Sequence, residues 1–190
     1  MQLSLVGMPG CGKSTVGRHL ARQLALNFVD SDTEIERRIG MPIRDYFAVH
    51  GEPAFRDIEQ DVIDALTQAD GSLLATGGGA VLRPSNRDAL HSRTHVFYLR
   101  SSPEELFRRL RHDTHRPLLQ VADPLARLRE LYRERDPLYR RTAHFVVEAI
   151  RPSVPALIGM ILMQLELAGL IDAESTPAPA EPPPARDGSH

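Results

Sequence analysis

The chain holds a single cysteine, Cys11, so no internal disulfide can form, and a reducing compartment is the expected setting. Neither sign of charge prevails. Against 25 Asp+Glu stand 23 Lys+Arg, for a formal net charge of −2, and no global field points to nucleic acid or to a membrane surface. Long apolar runs are missing too. The longest, residues 154–170, is interrupted by Pro155, Gln164 and Glu166 and falls short of the roughly 20 residues a membrane helix needs. The first residues enter a β-prone segment with no charged stretch or signal-like apolar core. These absences predict a cytoplasmic, monomeric protein that engages neither nucleic acid nor membrane. No internal repeat is visible. Lysine is almost absent: Lys13 is the only one, every other basic side chain among the 23 Lys+Arg being arginine.

That lone lysine stands in the most informative stretch, Gly7-Met8-Pro9-Gly10-Cys11-Gly12-Lys13-Ser14-Thr15. It fits the pattern Gly, four free positions, Gly, Lys, Ser/Thr. Before it runs Leu3-Ser4-Leu5-Val6, a short strand. After it Val16, Leu20, Ala21, Leu24 and Ala25 recur at helical spacing. Strand, glycine loop and helix start together put backbone N–H groups around an anion at the positive end of a helix dipole. A chance turn before a helix would not need both flanking elements. Gly10, Cys11, Gly12, Lys13, Ser14 and Thr15 are therefore expected to hold the phosphates of a nucleotide. Lys13 would reach the β- and γ-phosphates, and the Ser14 hydroxyl would ligate Mg²⁺. A compact ammonium fits between phosphates where a planar guanidinium would not.

With 190 residues, 42% hydrophobic and 25% charged, the rest of the chain suits one domain with a sizeable core. Asn27-Phe28-Val29 reads as a second strand ending at Asp30. Ser31-Asp32-Thr33-Glu34 reads as a capping box, with Ser31 at the N-cap and Glu34 reaching back, opening a helix that stops at Gly40. Asp30 and Asp32 then lie at the sheet edge where open α/β folds bind ligands. Both could be simple caps. Beside a phosphate loop, Asp30 could hold Mg²⁺ through water, and Asp32 could accept a proton from a substrate hydroxyl. Pro42 opens a short helix, Gly51 breaks it, and residues 52–67 form a longer one with Phe55, Ile58, Val62, Ile63 and Leu66 on its apolar stripe. By spacing alone, Arg56 is a surface arginine paired with Glu52 or Glu59.

Residues 72–76 form a buried-type strand that ends in Gly77-Gly78-Gly79. Such a triplet either is a flexible turn or brings bare backbone close to a partner. After the strand at 95–99, Ser102-Pro103-Glu104-Glu105 opens a helix carrying Arg108, Arg109 and Arg111. These form a solvated face that, beside a nucleotide, could also touch its adenine side. Residues 112–123 lose helical periodicity and read as a mobile lid whose Arg116 could arrive on ligand binding; the plainer alternative is a surface loop. A charged helix from Pro124 is expected to end around Arg135-Asp136-Pro137, followed by a strand at 145–147 and a helix at 154–170. From Ala173 the chain turns to Pro and Ala, predicting a disordered tail over 173–190 behind a domain at 1–172.

Alternating strands and helices after a glycine loop predict a three-layer α/β domain with a mainly parallel sheet. The combination suits phosphoryl transfer from a nucleoside triphosphate to a small molecule. A G-protein switch is disfavoured: no suitable Asp-x-x-Gly motif is present, and Lys13 as the sole lysine excludes an Asn-Lys-x-Asp motif.

A more specific reading comes from the set Gly-x-x-Gly-x-Gly-Lys-Ser-Thr (7–15), Asp-Ser-Asp-x-x-Ile-Glu (30–36), Gly-Glu-x-x-Phe-Arg (51–56), Gly-Gly-Gly (77–79), Arg-Pro-Leu-Leu (116–119) and Arg-x-Pro-Leu-Tyr (135–139). In order and spacing it resembles shikimate kinase over roughly residues 2–168. The resemblance implies a P-loop kinase fold of the nucleoside-monophosphate-kinase type, with a five-stranded parallel sheet and a mobile lid. It implies ATP-dependent phosphorylation of the 3-hydroxyl of shikimate, on the way to chorismate and the aromatic amino acids. Carried over by residue, Lys13, Asp32 and Arg116 are the catalytic set, with Asp32 binding the shikimate hydroxyls. Arg56 and Arg135 grip the carboxylate, Gly77, Gly78 and Gly79 complete the acceptor site, and Arg116 contacts ATP phosphates. Arg109 and Arg151 are the adenine-side candidates. Mg²⁺ belongs with Ser14 and Asp30. The alternatives are another small-molecule P-loop kinase, of gluconate or nucleoside-monophosphate type, and an ATP-binding module without activity of its own.

Overall fold

The computed structural model describes residues 1–112, 120–149 and 153–173. Strands β1 (Leu3–Val6), β2 (Asn27–Asp30), β3 (Ser72–Ala75), β4 (His95–Arg100) and β5 (Phe145–Glu148) form one sheet in the order β2-β3-β1-β4-β5. Every neighbouring pair is parallel. The helices are α1 (Lys13–Gln23), α2 (Ser31–Ile39), α3 (Ile43–Leu66), α4 (Pro84–Arg93), α5 (Pro103–Leu110), α6 (Pro124–Thr142) and α7 (Val154–Leu167). α1 packs with α7, and α4 packs with α3 and α6, which makes the expected layer of helices on each side of the sheet. Strand β1 is buried along its whole length and β4 along its centre. That is why the centre of β4 reads as an unbroken apolar run rather than an alternating one, and β1 as apolar but for the buried Ser4.

The sheet order places the site. β1 lies between β3 and β4, so the chain departs from β1 toward one side and returns on the other. The crevice at the C-terminal end of such a strand is where open α/β sheets take ligands. The loop at residues 7–12 leaves β1 there, β2 ends there in Asp30, and β3 ends there before the glycine triplet. α2 and α3 pack together there around a small core of their own, Ile35, Phe55 and Val62.

Several sequence expectations change. The capping box at 31–34 does not form. Asp30 is the N-cap, its carboxylate accepting from the Asp32 and Thr33 amides, and Glu34 instead pairs with Arg37 and Arg38. The break expected at Gly51, by contrast, is present: this residue (φ 82°, ψ 172°) is a non-helical kink between the two helical stretches that α3 spans. α6 does not stop at Pro137 but continues to Thr142. Pro137 has no N–H to donate to the carbonyl four residues back, so this helix needs support from outside itself, and side chains on either flank of the proline supply it. The lid residues 113–119, Arg151 and the tail beyond Ala173 lie outside the described residues.

Candidate active site

The phosphate loop turns sharply because its glycines adopt conformations closed to other residues. Gly12, the N-cap of α1, has φ 97°, in the left-handed region where a Cβ is strained. α1 begins at Lys13, three residues before the apolar periodicity shows itself, so its first N–H groups open into the loop. The Lys13 ammonium, 8% exposed, donates to the Gly7 and Met8 carbonyls at 2.8 and 2.9 Å and so spans the loop. Cys11 is fully buried; its carbonyl accepts from Arg109 of α5 at 3.2 Å. Arg109 is thereby held at the loop's rim, on the side expected for the nucleotide.

Ser14 and Asp30 meet directly, the Ser14 hydroxyl donating to Asp30 Oδ2 at 2.6 Å. The other Asp30 oxygen caps α2. Capping α2 with one oxygen therefore leaves the other at the phosphate loop, so the two roles that the sequence set as alternatives are compatible. The pair offers a hard hydroxyl oxygen and a carboxylate beside a phosphate loop, a donor set that fits Mg²⁺. That ion is commonly bound by one or two protein oxygens together with substrate phosphates. Among the described residues there is no cluster of three or more His, Cys, Asp or Glu that could hold a metal.

Asp32 projects from the first turn of α2 toward the glycine triplet. A Cβ on Gly77 would lie 2.6 Å from Asp32 Oδ1, so any larger residue there would force this carboxylate to move. The Gly77 N–H donates to Ser31 Oγ at 3.0 Å, which ties β3 to α2. Burial, reinforced by the charges of Asp30 and Glu59 and opposed by Lys13, raises the Asp32 pKa to about 6. Gly79 plays the same part for Arg56, whose guanidinium occupies the space a Cβ would fill. The triplet is therefore a surface pared down to make room for the Asp32 and Arg56 side chains.

Arg56 makes both pairs its spacing allowed, with Glu59 at 2.7 Å and Glu52 at 3.2 Å. It is nevertheless no surface residue: its side chain is 12% exposed and that of Glu59 1%. Sequence reasoning named Glu59 only as a possible partner and missed its burial in the site. Burial raises its pKa against the pull of Arg56 and Arg135. Arg135, from α6, acts on both Glu59 and Tyr139. Its Nε is buried with no partner among the described residues. Tyr139, also unassigned from sequence, is fully buried and donates to the Gly78 carbonyl at 2.6 Å.

A cleft of about 370 Å³ joins the two halves. Gly10, Gly12, Lys13, Ser14, Thr15 and Asp30 line it on one side, and Asp32, Thr76, Gly77 and Gly78 on the other. Arg56 and Arg135 do not line it: Arg56 lies against Gly79, and Arg135 lies near Glu59 and Tyr139. Arg116 and Arg151 lie outside the described residues. A cationic loop with an oxygen pair for a metal, facing a carboxylate of raised pKa and paired guanidinium groups, can bring a phosphoryl donor to a hydroxylated acid.

Comparison with known proteins agrees. The family model described as shikimate kinase matches residues 9–166. Shikimate kinase of Paracidovorax citrulli is 60% identical over 173 residues, covering 90% of this chain and 94% of that protein. The solved shikimate kinase of Acinetobacter baumannii, in complex with shikimate, superposes with a TM-score of 0.83 at 45% identity, over 88% of this chain and 93% of that one. A gluconokinase of Sinorhizobium meliloti, at 15% identity and a TM-score of 0.53 over 88% of this chain and 96% of that one, shares the fold alone. The chain belongs to the shikimate kinase family.

Proposed function

We propose that the cleft between the phosphate loop and the glycine triplet carries out the family's reaction, transfer of the γ-phosphoryl group of ATP to the 3-hydroxyl of shikimate. The observation that carries the reading is the meeting, in one cleft, of Lys13 and Ser14 with Asp32, backed by two arginines on the acceptor side. ATP lies with its phosphates along residues 10–15. Lys13 exchanges its loop carbonyls for phosphate oxygens and follows the charge as it moves toward the β-phosphate. Arg109 is assigned to the adenine side; Arg151 and Arg116, outside the described residues, are assigned to the adenine and to the phosphates by the family resemblance alone. Mg²⁺, held by Ser14 and through Asp30, would neutralise phosphate charge when bound.

On the acceptor side, Arg56 and Arg135 bind the shikimate carboxylate by charge-assisted hydrogen bonds. Glu52 and Glu59 keep the Arg56 fork in one orientation. Gly77, Gly78 and Gly79 let the ring approach the backbone. Asp32 accepts from the hydroxyls and takes the proton of the 3-hydroxyl as its oxygen bonds to phosphorus and the bond to the β-phosphate oxygen breaks. Holding the two reactants in this order supplies most of the acceleration, since phosphoryl transfer needs little covalent help from protein. The protein acts as a cytoplasmic monomer, with no nucleic-acid or membrane partner.

A coupled assay of ADP release with shikimate, gluconate and AMP as acceptors tests the reading. Turnover with shikimate far above the other two is expected. Preference for gluconate or AMP, or no turnover with any acceptor, overturns it.

A further inference from the structure

The acceptor side depends on two pieces that the chain brings from far apart, the backbone at Gly78 and the guanidinium of Arg135. One helix segment links them. Arg135 sits two residues before Pro137, where α6 lacks a backbone N–H. On the near flank of that proline, Asp136 Oδ1 accepts from the Tyr98 hydroxyl of β4 at 2.7 Å. Its Oδ2 accepts from Arg140 at 3.0 Å, and Arg100 stands 3.5 Å away. On the far flank, the Tyr139 hydroxyl donates to the Gly78 carbonyl at 2.6 Å. The Tyr98 and Tyr139 rings lie against each other, their centroids 5.0 Å apart, and both are fully buried. The helix is weak where the proline removes its own hydrogen bond, and it is fastened there to the sheet and to the glycine triplet.

We infer that Tyr139 and the Tyr98–Asp136 pair are positioning residues for the acceptor, setting the distance between Arg135 and Gly78. This rests on the acceptor role proposed above for those two groups. A fully buried tyrosine could simply fill the core, but core filling needs no hydroxyl. Here the Tyr98 hydroxyl is spent on Asp136, just before Pro137, and the Tyr139 hydroxyl, from just after it, on the Gly78 carbonyl. A phenylalanine keeps the ring and its packing while releasing the link, which separates the two roles.

The test is steady-state kinetics of the full chain, with thermal unfolding recorded for each variant. Tyr139→Phe removes one hydrogen bond and deprives the Gly78 carbonyl of this donor. It is expected to raise KM for shikimate about tenfold while KM for ATP stays within about twofold and kcat within about threefold. Tyr98→Phe is expected to act in the same direction through Asp136. Combined with Arg135→Ala, it should add nothing further to the loss of shikimate affinity by titration calorimetry, as two changes on one path are not additive. Unchanged KM for shikimate in both tyrosine variants overturns the inference, as does an equal rise in both KM values that tracks a fall in melting temperature. Should Tyr139→Phe not fold, Tyr98→Phe and its cycle with Arg135 decide. Failure of the underlying acceptor reading shows separately, as wild-type protein that does not turn over shikimate.

Discussion

The two halves of the cleft are built in opposite ways. The phosphate side is a consecutive run, residues 7–15, between one strand and one helix. Its geometry follows from local backbone chemistry: glycines where φ must be positive, a helix start where N–H groups are left over, and a lysine long enough to span the turn. The acceptor side draws on α2, α3, the end of β3 and α6, which bring Asp32, Arg56, Gly77 to Gly79, and Arg135 with Tyr139 from stretches separated by up to about a hundred residues. Nothing local holds these together. A short motif can carry a generic task such as phosphate binding, while recognition of one particular acid must be assembled by the fold.

That contrast can be broken experimentally. The largest effect is expected from Lys13→Met, which should cut turnover by about a thousandfold or more with circular dichroism and melting temperature near wild type. Retention of more than a tenth of the activity would remove Lys13 from the mechanism. Next comes Asp32→Asn, expected to lower kcat by about a hundredfold or more while ATP affinity, measured by titration calorimetry, is nearly unchanged. A loss confined to ATP binding would move Asp32 to the phosphate side.

A pair of glycine replacements sharpens the comparison further. Gly79→Ala drives a methyl into the Arg56 guanidinium and should raise KM for shikimate about tenfold, the scale of one disturbed charge-assisted hydrogen bond, with little change in KM for ATP. Gly12→Ala strains a left-handed residue and should weaken ATP binding first, with a stability loss of about 1 kcal/mol or more. If each variant affected both substrates alike, the two halves would be one energetic unit.

The smallest effect lies at the opposite edge of the sheet. There His144 accepts from the Val96 N–H at 3.0 Å, stacks on His91 of α4 at 4.2 Å and lies near His95 of β4. Burial, then the charges of His91 and His95, lower its pKa. The folded state therefore favours neutral imidazole, and the unfolded chain binds more protons. This contribution to stability is complete above the unfolded pKa near 6.5 and is lost as pH falls through the lower folded value. Urea midpoints at pH 7.5 and 5.5 should fall more with acid in wild type than in His144→Gln, and equal falls would count against it.

Much of the fold could be read without coordinates. Apolar strands, the glycine loop and the Gly40 stop follow from short-range preferences, and the parallel sheet follows from their alternation. The errors occurred where distant groups intervened. Ser31 reads as an N-cap, but its hydroxyl is used by Gly77, and Asp30 takes the cap. Pro137 reads as a helix end, but Tyr98 and Gly78 hold α6 past it through Asp136 and Tyr139. Arg56 shows the same limit from the other side. Its pairing with Glu52 and Glu59 is a matter of helical spacing and was foreseen. Its burial against Gly79 belongs to the packing of α3 on the end of β3, and only the resemblance to shikimate kinase pointed there.

By itself, then, the sequence determined the phosphate-binding half of the cleft, because backbone conformation, helix ends and side-chain reach act over a few residues. The tertiary structure decided the acceptor half: which carboxylate is buried enough to hold a raised pKa, which guanidinium is aimed inward, and which tyrosine hydroxyl meets a glycine carbonyl. Those properties depend on desolvation and on contacts between segments distant in the chain, and they come into being only when the sheet and its helices close around them.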